Sequence, residues 1–359
     1  MNTPLHVVLP GGIDDPAAPS GGNRYDRRVL REITANRARG TQREPAAAPL
    51  DHPAVRETAL PGSWPRPAAD ARRRLSRTMA AIPDGHTVLL DGLVACGVPE
   101  LLAPHARRLR LVILVHLPLS DETGLSPTAA AELKALEGRA LHLAAGVIAT
   151  SDQAAAHVAG MHGIARVHVA APGVDPAPPS TGSPSGRHLL CVASLTHRKG
   201  QDVLLRALGT LTDLDWECTF AGAGPIPAHS GNVRFTGPLA GADLEAAYAN
   251  ADLFVLPSRA ETYGMVITEA LAHALPVVAT HVGGVPQALG GTPDGVPGKL
   301  LAPDDPDGLA DVLRAWLTDS DLRARWRRRA VARRATLTGW DETARRLTTI
   351  LRIIEEGTP

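Results

Sequence analysis

Short apolar runs alternate with longer amphipathic stretches along the first half of the chain. Runs without internal alternation, such as Leu111–Val115, suit strands that are covered on both faces. Strands that alternate with helices in this way form parallel sheets with crossover helices, so the pattern predicts an α/β fold. The predicted strands are Leu5–Leu9, Thr87–Asp91, Arg110–His116, Gly146–Thr150 and Arg166–Ala170, and the predicted helices are Tyr25–Ala35, Ala68–Ala81, Pro127–Ala144 and Asp152–Met161.

The second half repeats this plan and predicts a second doubly wound sheet. Its predicted strands are His188–Ala193, Glu217–Ala221, Val233–Thr236, Asp252–Leu256, Pro276–Thr280 and Lys299–Ala302. Its predicted helices are Gln201–Leu211, Ala242–Ala249, Gly264–His273 and Asp307–Leu317, followed by a basic stretch, Leu322–Ala335, and a final amphipathic one, Asp341–Ile354.

A chain of 359 residues is long enough for two domains that each bury a core. The segment Ala171–Arg187 is dense in proline, glycine and serine, as an interdomain linker would be. We therefore predict a first domain over residues 1–175, a linker over 176–186 and a second domain over 187–337. The last residues, 338–359, are predicted to form a helix that packs back on the first domain.

Composition excludes several classes of protein. The 37 basic and 37 acidic residues balance, which argues against a general attraction to nucleic acid. Cys96, Cys191 and Cys218 are isolated, so neither a disulfide framework nor a zinc site is predicted. No apolar stretch of about 20 residues could span a bilayer, and residues 1–10 contain no basic region of a signal peptide. The expected location is the cytoplasm.

The most informative stretch is Ala251–Gly284, in which two buried strands enclose Glu261, Gly264 and Glu269. Ligands of open α/β sheets bind beyond the carboxyl ends of strands, and a helix starting at Gly264 would offer free amides to a phosphate. On one helix the two glutamates would lie about 12 Å apart, farther than the roughly 5 to 9.5 Å of hydrolytic pairs. They are predicted to hold two different diols; the alternative is that both are solvated charges.

The sequence ETYGMVITE within this stretch resembles the Glu-x7-Glu motif of the retaining family-4 glycosyltransferases, and ADLFVLPSRA and PVVATHVGGVPQAL resemble its surroundings. The resemblance implies the GT-B fold, two Rossmann-like doubly wound domains facing across a cleft. It also implies that Glu261 contacts the hydroxyls of the donor hexose and that Glu269 binds the ribose. The backbone amides of Tyr263, Gly264 and Met265 would hold the sugar and the distal phosphate.

A second motif, HLLCVASLTHRKGQDVLLRAL, places Arg198 and Lys199 after a strand. Two adjacent cations at such a point are well placed to neutralise a pyrophosphate as it leaves. In the family that this chain resembles, the same arrangement binds the diphosphate of the donor, and we assign that role to Arg198 and Lys199.

Two features of the first domain are candidates for contacts with the donor. The loop after the first strand is rich in glycine, and a backbone without side chains could approach a phosphate there. The resemblance implies such a contact, for which we favour Gly22 and Asn23. His116 follows an apolar strand; a lone histidine there is often structural, but the resemblance implies that it contacts the donor sugar.

The sequence thus predicts transfer of a hexose or N-acetylhexosamine from a nucleoside diphosphate sugar to a small-molecule or lipid acceptor, with retention implied by the resemblance. No Asp-x-Asp metal motif follows a strand, so no metal ion and no cofactor is predicted. The first domain ordinarily selects the acceptor, and it departs from the family over Glu44–Ala69, so the acceptor stays unidentified.

Three alternatives remain open. A nicotinamide-dependent oxidoreductase would need a third glycine after Gly222-Ala223-Gly224, where prolines follow instead. A sugar-nucleotide epimerase would share the GT-B plan, as would a phosphorylase, for which Lys299 is a poor pyridoxal-binding candidate. A non-catalytic protein that keeps the fold could bind a lipid or protein surface, and the basic clusters Arg72–Arg77 and Arg323–Arg334 could make peripheral contact with an anionic membrane or bind nucleic acid.

Overall fold

The computed structural model describes residues 3–15, 20–40, 53–227 and 231–357. Contacts within the chain divide it into two compact units, one formed by Met1–Gly173 with Trp340–Pro359 and the other by Val174–Gly339. Among the helices in these described ranges, none is long and apolar enough to cross a membrane.

The first unit is built on a parallel six-stranded sheet with the strand order β2-β1-β3-β4-β5-β6. Its strands are β1 (Leu5–Pro10), β2 (Val55–Leu60), β3 (Thr87–Asp91), β4 (Arg110–Val115), β5 (Gly146–Ala149) and β6 (His168–Val169). Its helices before the second unit are α1 (Gly21–Gly40), α2 (Ala69–Ala81), α3 (Gly92–Ala95), α4 (Pro99–Leu102), α5 (Pro127–Leu143) and α6 (Asp152–His162). Every residue of β3 is buried, as the uninterrupted apolar run predicts.

The second unit holds another parallel six-stranded sheet, in the order β12-β11-β10-β7-β8-β9. Its strands are β7 (His188–Val192), β8 (Glu217–Ala221), β9 (Val233–Gly237), β10 (Leu253–Leu256), β11 (Val277–Thr280) and β12 (Gly298–Leu301). Its helices are α7 (Gln201–Gly209), α8 (Gly241–Ala249), α9 (Met265–Ala272), α10 (Val285–Leu289), α11 (Pro306–Thr318) and α12 (Ser320–Arg334). The predicted α/β class is therefore confirmed in both units.

The strand order determines where a ligand can bind in the second unit. β7 and β10 are hydrogen-bonded neighbours, and the chain extends from them in opposite directions across the sheet. Such a switch point leaves a crevice beyond the carboxyl ends of the two central strands, which is where open α/β sheets bind their ligands. The loops after β7 and β10 contain the two motifs that the sequence singled out.

The last helix, α13 (Trp340–Glu356), belongs to the first unit although it follows the second in the chain. Its Trp340 ring packs edge-on against Tyr25 of α1 at a centroid distance of 5.8 Å. Near its other end, Ile354 fills the space above Gly146, where a β-carbon would come within 2.3 Å of Cδ1. Thr87 of β3 donates a 2.6 Å hydrogen bond to Glu355. The helix is thus an integral part of the first core.

The basic helix α12 uses most of its arginines within the second unit. Five of them donate to backbone carbonyls, and one of these also pairs with the buried carboxylate of Asp252; they are Arg323, Arg327, Arg329, Arg333 and Arg334. Guanidinium groups that donate in this way satisfy carbonyls that turns and helix ends leave unpaired. Much of this positive charge therefore serves to hold the second unit together.

Candidate active site

Lys199 and Glu261 meet at the switch point of the second sheet. Lys199 ends a short 3₁₀ turn, His197–Lys199, that follows β7, and Glu261 lies in the loop after β10. The Nζ of Lys199 donates to Oε1 of Glu261 at 2.5 Å, and the hydroxyl of Ser258 donates to the same oxygen at 2.9 Å. The side chain of Glu261 is only 7% exposed, so this carboxylate is held by two donors away from bulk water.

Arg198 completes the group. Its Nη1 donates to the carbonyl of Ala260 at 3.2 Å and lies 4.0 Å from Oε2 of Glu261. Its Nε is buried and finds no hydrogen-bond partner in the described part of the chain. Two cations beside one carboxylate leave a net positive charge, and a buried N–H without a partner is costly unless an acceptor reaches it. The arrangement favours an anion with several oxygens, such as a diphosphate.

Two glycines allow the loops to come this close. A β-carbon at Gly200 would lie 2.1 Å from the carbonyl oxygen of Pro257, and one at Gly283 would lie 1.7 Å from that of Glu261. Both glycines also adopt left-handed backbone angles, with φ of 68° and 46°. Any side chain at either position would push the cation loop or the glutamate loop away, because backbone atoms cannot overlap at these distances.

The helix α9 begins at Met265, one residue later than the sequence predicted, because Gly264 has a φ of 90° and lies outside the helical region. The amides of a first helical turn have no partner inside the helix, and they carry the positive end of its dipole. Tyr263, Gly264 and Met265 thus lie at a helix N-terminus beside Glu261, and the ring of Tyr263 is buried.

Glu269 has different surroundings from Glu261. It lies inside α9, where its Oε2 accepts a 3.0 Å hydrogen bond from the hydroxyl of Tyr248 on α8. The Tyr248 ring stacks on His273 at 5.1 Å, and Nδ1 of His273 contacts the carbonyl of Pro178 at 2.9 Å. The two glutamates therefore belong to different elements with different partners. His273 thus packs against Tyr248 and holds the linker at Pro178.

In the first unit, His116 follows β4 and faces two carboxylates. Its Nε2 lies 2.9 Å from Oδ1 of Asp26 on α1 and 3.9 Å from Oδ2 of Asp91 at the end of β3. Asp91 also accepts a 2.6 Å hydrogen bond from the amide of Leu93. Burial alone would lower the pKa of His116, but Asp26 and Asp91 outweigh it and raise that pKa to about 8. Burial and Asp26 raise the pKa of Asp91 to about 7.

The same three side chains could also hold a metal ion. One ligand atom from each of Asp26, Asp91 and His116 lies within 4.8 Å of the other two. Oδ1 of Asp26 already contacts His116, whereas its buried Oδ2 has no hydrogen-bond partner among the described residues. Protons shared within the cluster could also balance its charge. The sequence predicted no metal ion, and that stays a prediction.

Gly22 and His116 lie in contact. A β-carbon at Gly22 would come within 3.0 Å of the His116 ring, so the glycine lets α1 start close beside the imidazole. Asn23 is held more loosely, with its amide N–H 3.5 Å from the Ser20 hydroxyl and its side chain 3.5 Å from the Gly12 carbonyl. Gly22 and Asn23 therefore lie at the start of α1 with His116 beside Gly22, and the donor contact predicted for all three stays a prediction.

Several residues that support these groups were not predicted. Asp26 and Asp91 hold His116, Ser258 holds Glu261, and Tyr248 holds Glu269. Asp26 carried a usable signal, because it lies four residues after Gly22 and so on the same face of a helix. The sequence around Tyr248 contains no such signal, since only the packing of α8 against α9 brings Tyr248 to Glu269.

Known proteins resemble this chain in sequence and in fold. Residues 186–319 match the family model described as glycosyl transferases group 1. A D-inositol 3-phosphate glycosyltransferase of Catenulispora acidiphila is 32% identical in an alignment of 295 positions that covers 73% of this chain and 68% of that protein. The sucrose-phosphate synthase of Thermosynechococcus elongatus superposes with a TM-score of 0.75 at 20% identity, covering 99% and 100% of the two chains.

A third protein, HepE of Anabaena in complex with UDP and glucose, superposes with a TM-score of 0.69 at 19% identity. That match covers 98% of this chain and 100% of HepE. The Catenulispora relative is similar enough, over enough of its length, to establish the family, and the two structures establish the fold. The chain belongs to the group 1, family-4 glycosyltransferases of the GT-B fold.

Proposed function

We propose that this glycosyltransferase moves a hexose or N-acetylhexosamine from a nucleoside diphosphate sugar to a small-molecule or lipid acceptor, with retention of the anomeric configuration. The observation that carries the donor assignment is the group of Arg198, Lys199 and Glu261 at the switch point of the second sheet. UDP is the first nucleotide to test, because HepE was crystallised with UDP and glucose. D-inositol 3-phosphate is the first acceptor to test, because the Catenulispora relative is named for it.

The roles of the second unit follow from charge. As the glycosidic bond breaks, negative charge grows on the diphosphate, and fixed cations stabilise this state more than they stabilise the intact donor. Lys199 donates one of its three N–H groups to Glu261, and the other two can donate to a phosphate. Oε2 of Glu261 is then available for a sugar hydroxyl. The amides at Tyr263, Gly264 and Met265 receive the distal phosphate and sugar, and Glu269 receives the ribose.

The first unit contributes Gly22, Asn23 and His116 to the donor in this proposal, with His116 held by Asp26. We propose that the reaction uses no cofactor and no metal ion. Extensive dialysis against EDTA should then leave the rate of transfer unchanged. A rate that falls with EDTA and returns with Mn²⁺ or Zn²⁺ would overturn this part of the proposal and direct attention to Asp26 and Asp91.

The donor site is tested by thermal shift with UDP-, GDP- and ADP-sugars. A ligand at 100 times its Kd stabilises the native state by about 2.7 kcal/mol, so one nucleotide family should raise the melting temperature of the wild-type protein. Lys199→Ala should abolish that increase. Lys299→Ala is the matched control, because Lys299 lies exposed on β12 of the same unit. A wild-type protein that no nucleotide sugar stabilises would overturn the proposed function.

Transfer and stereochemistry need a separate measurement. The nucleotide sugar that binds is incubated with D-inositol 3-phosphate and with other polyol and lipid acceptors, and the anomeric proton of the product is read by NMR. An axial donor should give an axial product. An inverted product would contradict retention, and release of an altered nucleotide sugar without any acceptor would indicate an epimerase.

A further inference from the structure

Arg259 lies beside the donor-binding group but points away from Glu261. It follows Ser258 after β10, and its side chain is 15% exposed. Its Nη1 donates to the carbonyl of His197 at 2.6 Å, and its Nη1 and Nη2 together grip both oxygens of Asp202 at 2.7 Å. Its Nε donates to Asp304 at 2.6 Å. The guanidinium therefore joins the turn after β7, the first turn of α7 and the loop after β12.

The backbone of Arg259 adds a further bond to the same turn. Its amide donates to the carbonyl of Arg198 at 2.7 Å. The short turn that carries both cations, His197–Lys199, is thus held at two successive carbonyls by one residue. Inside the turn itself the bonds are short-range, such as Lys199 N to Thr196 O at 2.9 Å. The side chains of Arg198 and Lys199 make long-range bonds to Ala260 and Glu261, whereas the long-range bonds to the backbone carbonyls of His197 and Arg198 come from Arg259.

The charge of Arg259 is already matched by two carboxylates. Hydrogen bonds from Arg259 lower the pKa of Asp202, which is the effect of a firm ion pair. Asp304 reaches Arg259 from a left-handed backbone conformation with a φ of 57°, which is uncommon for a residue with a side chain. The donors of Arg259 are therefore occupied by the loops that it holds together. Arg198, in contrast, has a buried Nε with no hydrogen-bond partner among the described residues.

We propose that Arg259 is a positioning residue that fixes Arg198 and Lys199 for the diphosphate of the donor without touching it. This rests on the proposed function of those two cations. A preorganised site binds more tightly because no binding free energy is lost in ordering the loop. Loss of the Arg259 side chain should therefore weaken binding of the diphosphate group in particular, and leave the rest of the nucleotide site intact.

The test compares UDP with UMP, and GDP with GMP and ADP with AMP, by titration calorimetry on the full chain. Arg259→Ala should lower the ratio of diphosphate to monophosphate affinity by roughly tenfold, the loss expected when about 1.4 kcal/mol is removed. In a background that already carries Arg198→Ala and Lys199→Ala, Arg259→Ala should change this ratio no further, because a positioning residue acts only through the groups that it positions.

Arg314→Ala is the matched control. Arg314 also grips an aspartate with both Nη atoms, at 2.6 and 2.8 Å from Asp213, and it lies in the same unit on α11. It should leave the affinity ratio unchanged. If Arg259→Ala does not fold, Asp304→Asn removes one of the two acids that hold Arg259, and it should lower the ratio in the same direction by a smaller factor.

Two results would overturn the inference while leaving the proposed function intact. In one, Lys199→Ala loses the preference for diphosphate but Arg259→Ala and Asp304→Asn keep it. In the other, Arg259→Ala weakens diphosphate and monophosphate equally, as a merely stabilising residue would. A wild-type protein with no preference for any diphosphate, unchanged in Lys199→Ala, would instead overturn the proposed function together with the inference.

Discussion

Lys199 and Glu261 form an ion pair of 2.5 Å in which one carboxylate oxygen is fully engaged and the other faces Arg198. The pair joins the cation motif to the glutamate motif, which lie 62 residues apart in sequence. A group that is predicted to bind phosphate and a group that is predicted to bind sugar are therefore held by each other before any ligand arrives. A substitution of Lys199 or Glu261 should therefore alter the position of the other side chain as well.

The first prediction concerns the energy of this pair. Lys199→Met or Glu261→Gln should each destabilise the second unit by about 1 to 3 kcal/mol, because each leaves a buried polar partner uncompensated. The double variant should lose less than the sum of the two, since the two substitutions remove the same interaction. Scanning calorimetry of the four proteins measures the coupling. The exposed pair Arg187–Asp215 serves as the control and should show a coupling below about 1 kcal/mol; equal couplings for both pairs would contradict the prediction.

The second prediction concerns Tyr248 and Glu269. Tyr248→Phe removes the hydroxyl that donates to Glu269 but keeps the ring that stacks on His273. Stability should fall by about 1 kcal/mol, and the affinity for UDP should fall several-fold because Glu269 loses a group that orients it. Tyr25→Phe removes a comparable buried hydroxyl, which donates to the Ala170 carbonyl at 2.9 Å, and should leave UDP affinity unchanged. Equal UDP affinities in the two variants would refute the orienting role.

The third prediction concerns the approach of two backbone segments. Gly283→Ala would place a β-carbon 1.7 Å from the carbonyl oxygen of Glu261, so the glutamate loop must move. Transfer activity should be lost, and stability should fall by roughly 1 to 3 kcal/mol from the steric and left-handed strain together. Gly209→Ala, at the end of α7 where a β-carbon meets nothing within 4 Å, should retain activity. An active Gly283→Ala enzyme would show that Glu261 need not occupy this position.

The fourth prediction concerns pH. The pKa of His116 in the folded protein is about 8, above its ordinary value of 6.5, so folding takes up a proton in this range. The contribution of protonated His116 to the free energy of unfolding is fully present below pH 6.5 and is lost as the pH rises through 8. The difference in unfolding free energy between the wild-type protein and His116→Gln should shrink by about 2 kcal/mol between pH 6 and pH 9.

The cause of that shift can be read directly by NMR of the imidazole. In Asp26→Asn the titration midpoint of His116 should fall below its wild-type value, because burial then acts with less opposition. His105 is an internal reference, since burial and Arg108 lower its pKa and neither involves Asp26. A midpoint of His116 that stays near 8 in Asp26→Asn would rule out Asp26 as the source of the shift.

Much of the fold can be predicted from the sequence. Thr87–Asp91 and Glu217–Ala221 are strands over the residues that the apolar runs indicate. The short helices Gly92–Ala95, Pro99–Leu102 and Val285–Leu289 were missed, because four or five residues are too few to show a helical period. Helix α1 starts at Gly21 instead of the predicted Tyr25, because glycine is a poor helix former and the sequence gives no reason to begin there.

The sequence predicted only part of the candidate site. Arg198, Lys199 and Glu261 stand out because charged residues follow buried strands within a recognisable motif. Their contact could not be predicted by spacing alone, since it depends on β7 and β10 being neighbours in the sheet. Arg259 was overlooked for a related reason. Its partners Asp202 and Asp304 come from distant segments, and a single arginine in a loop has no sequence feature that reveals them.

The position of α13 in the chain has a consequence for biosynthesis. The first segment of the first unit precedes the second unit in the chain, but the unit receives Trp340 and Ile354 only after the whole second unit has been synthesised. Until then the surfaces around Tyr25 and Gly146 lack the helix that covers them. The second unit is continuous from Val174 to Gly339, so all of its residues are available before those of α13. A fragment cut at Gly173 would lack its last helix, so an isolated first unit would need a linker that joins Gly173 directly to α13.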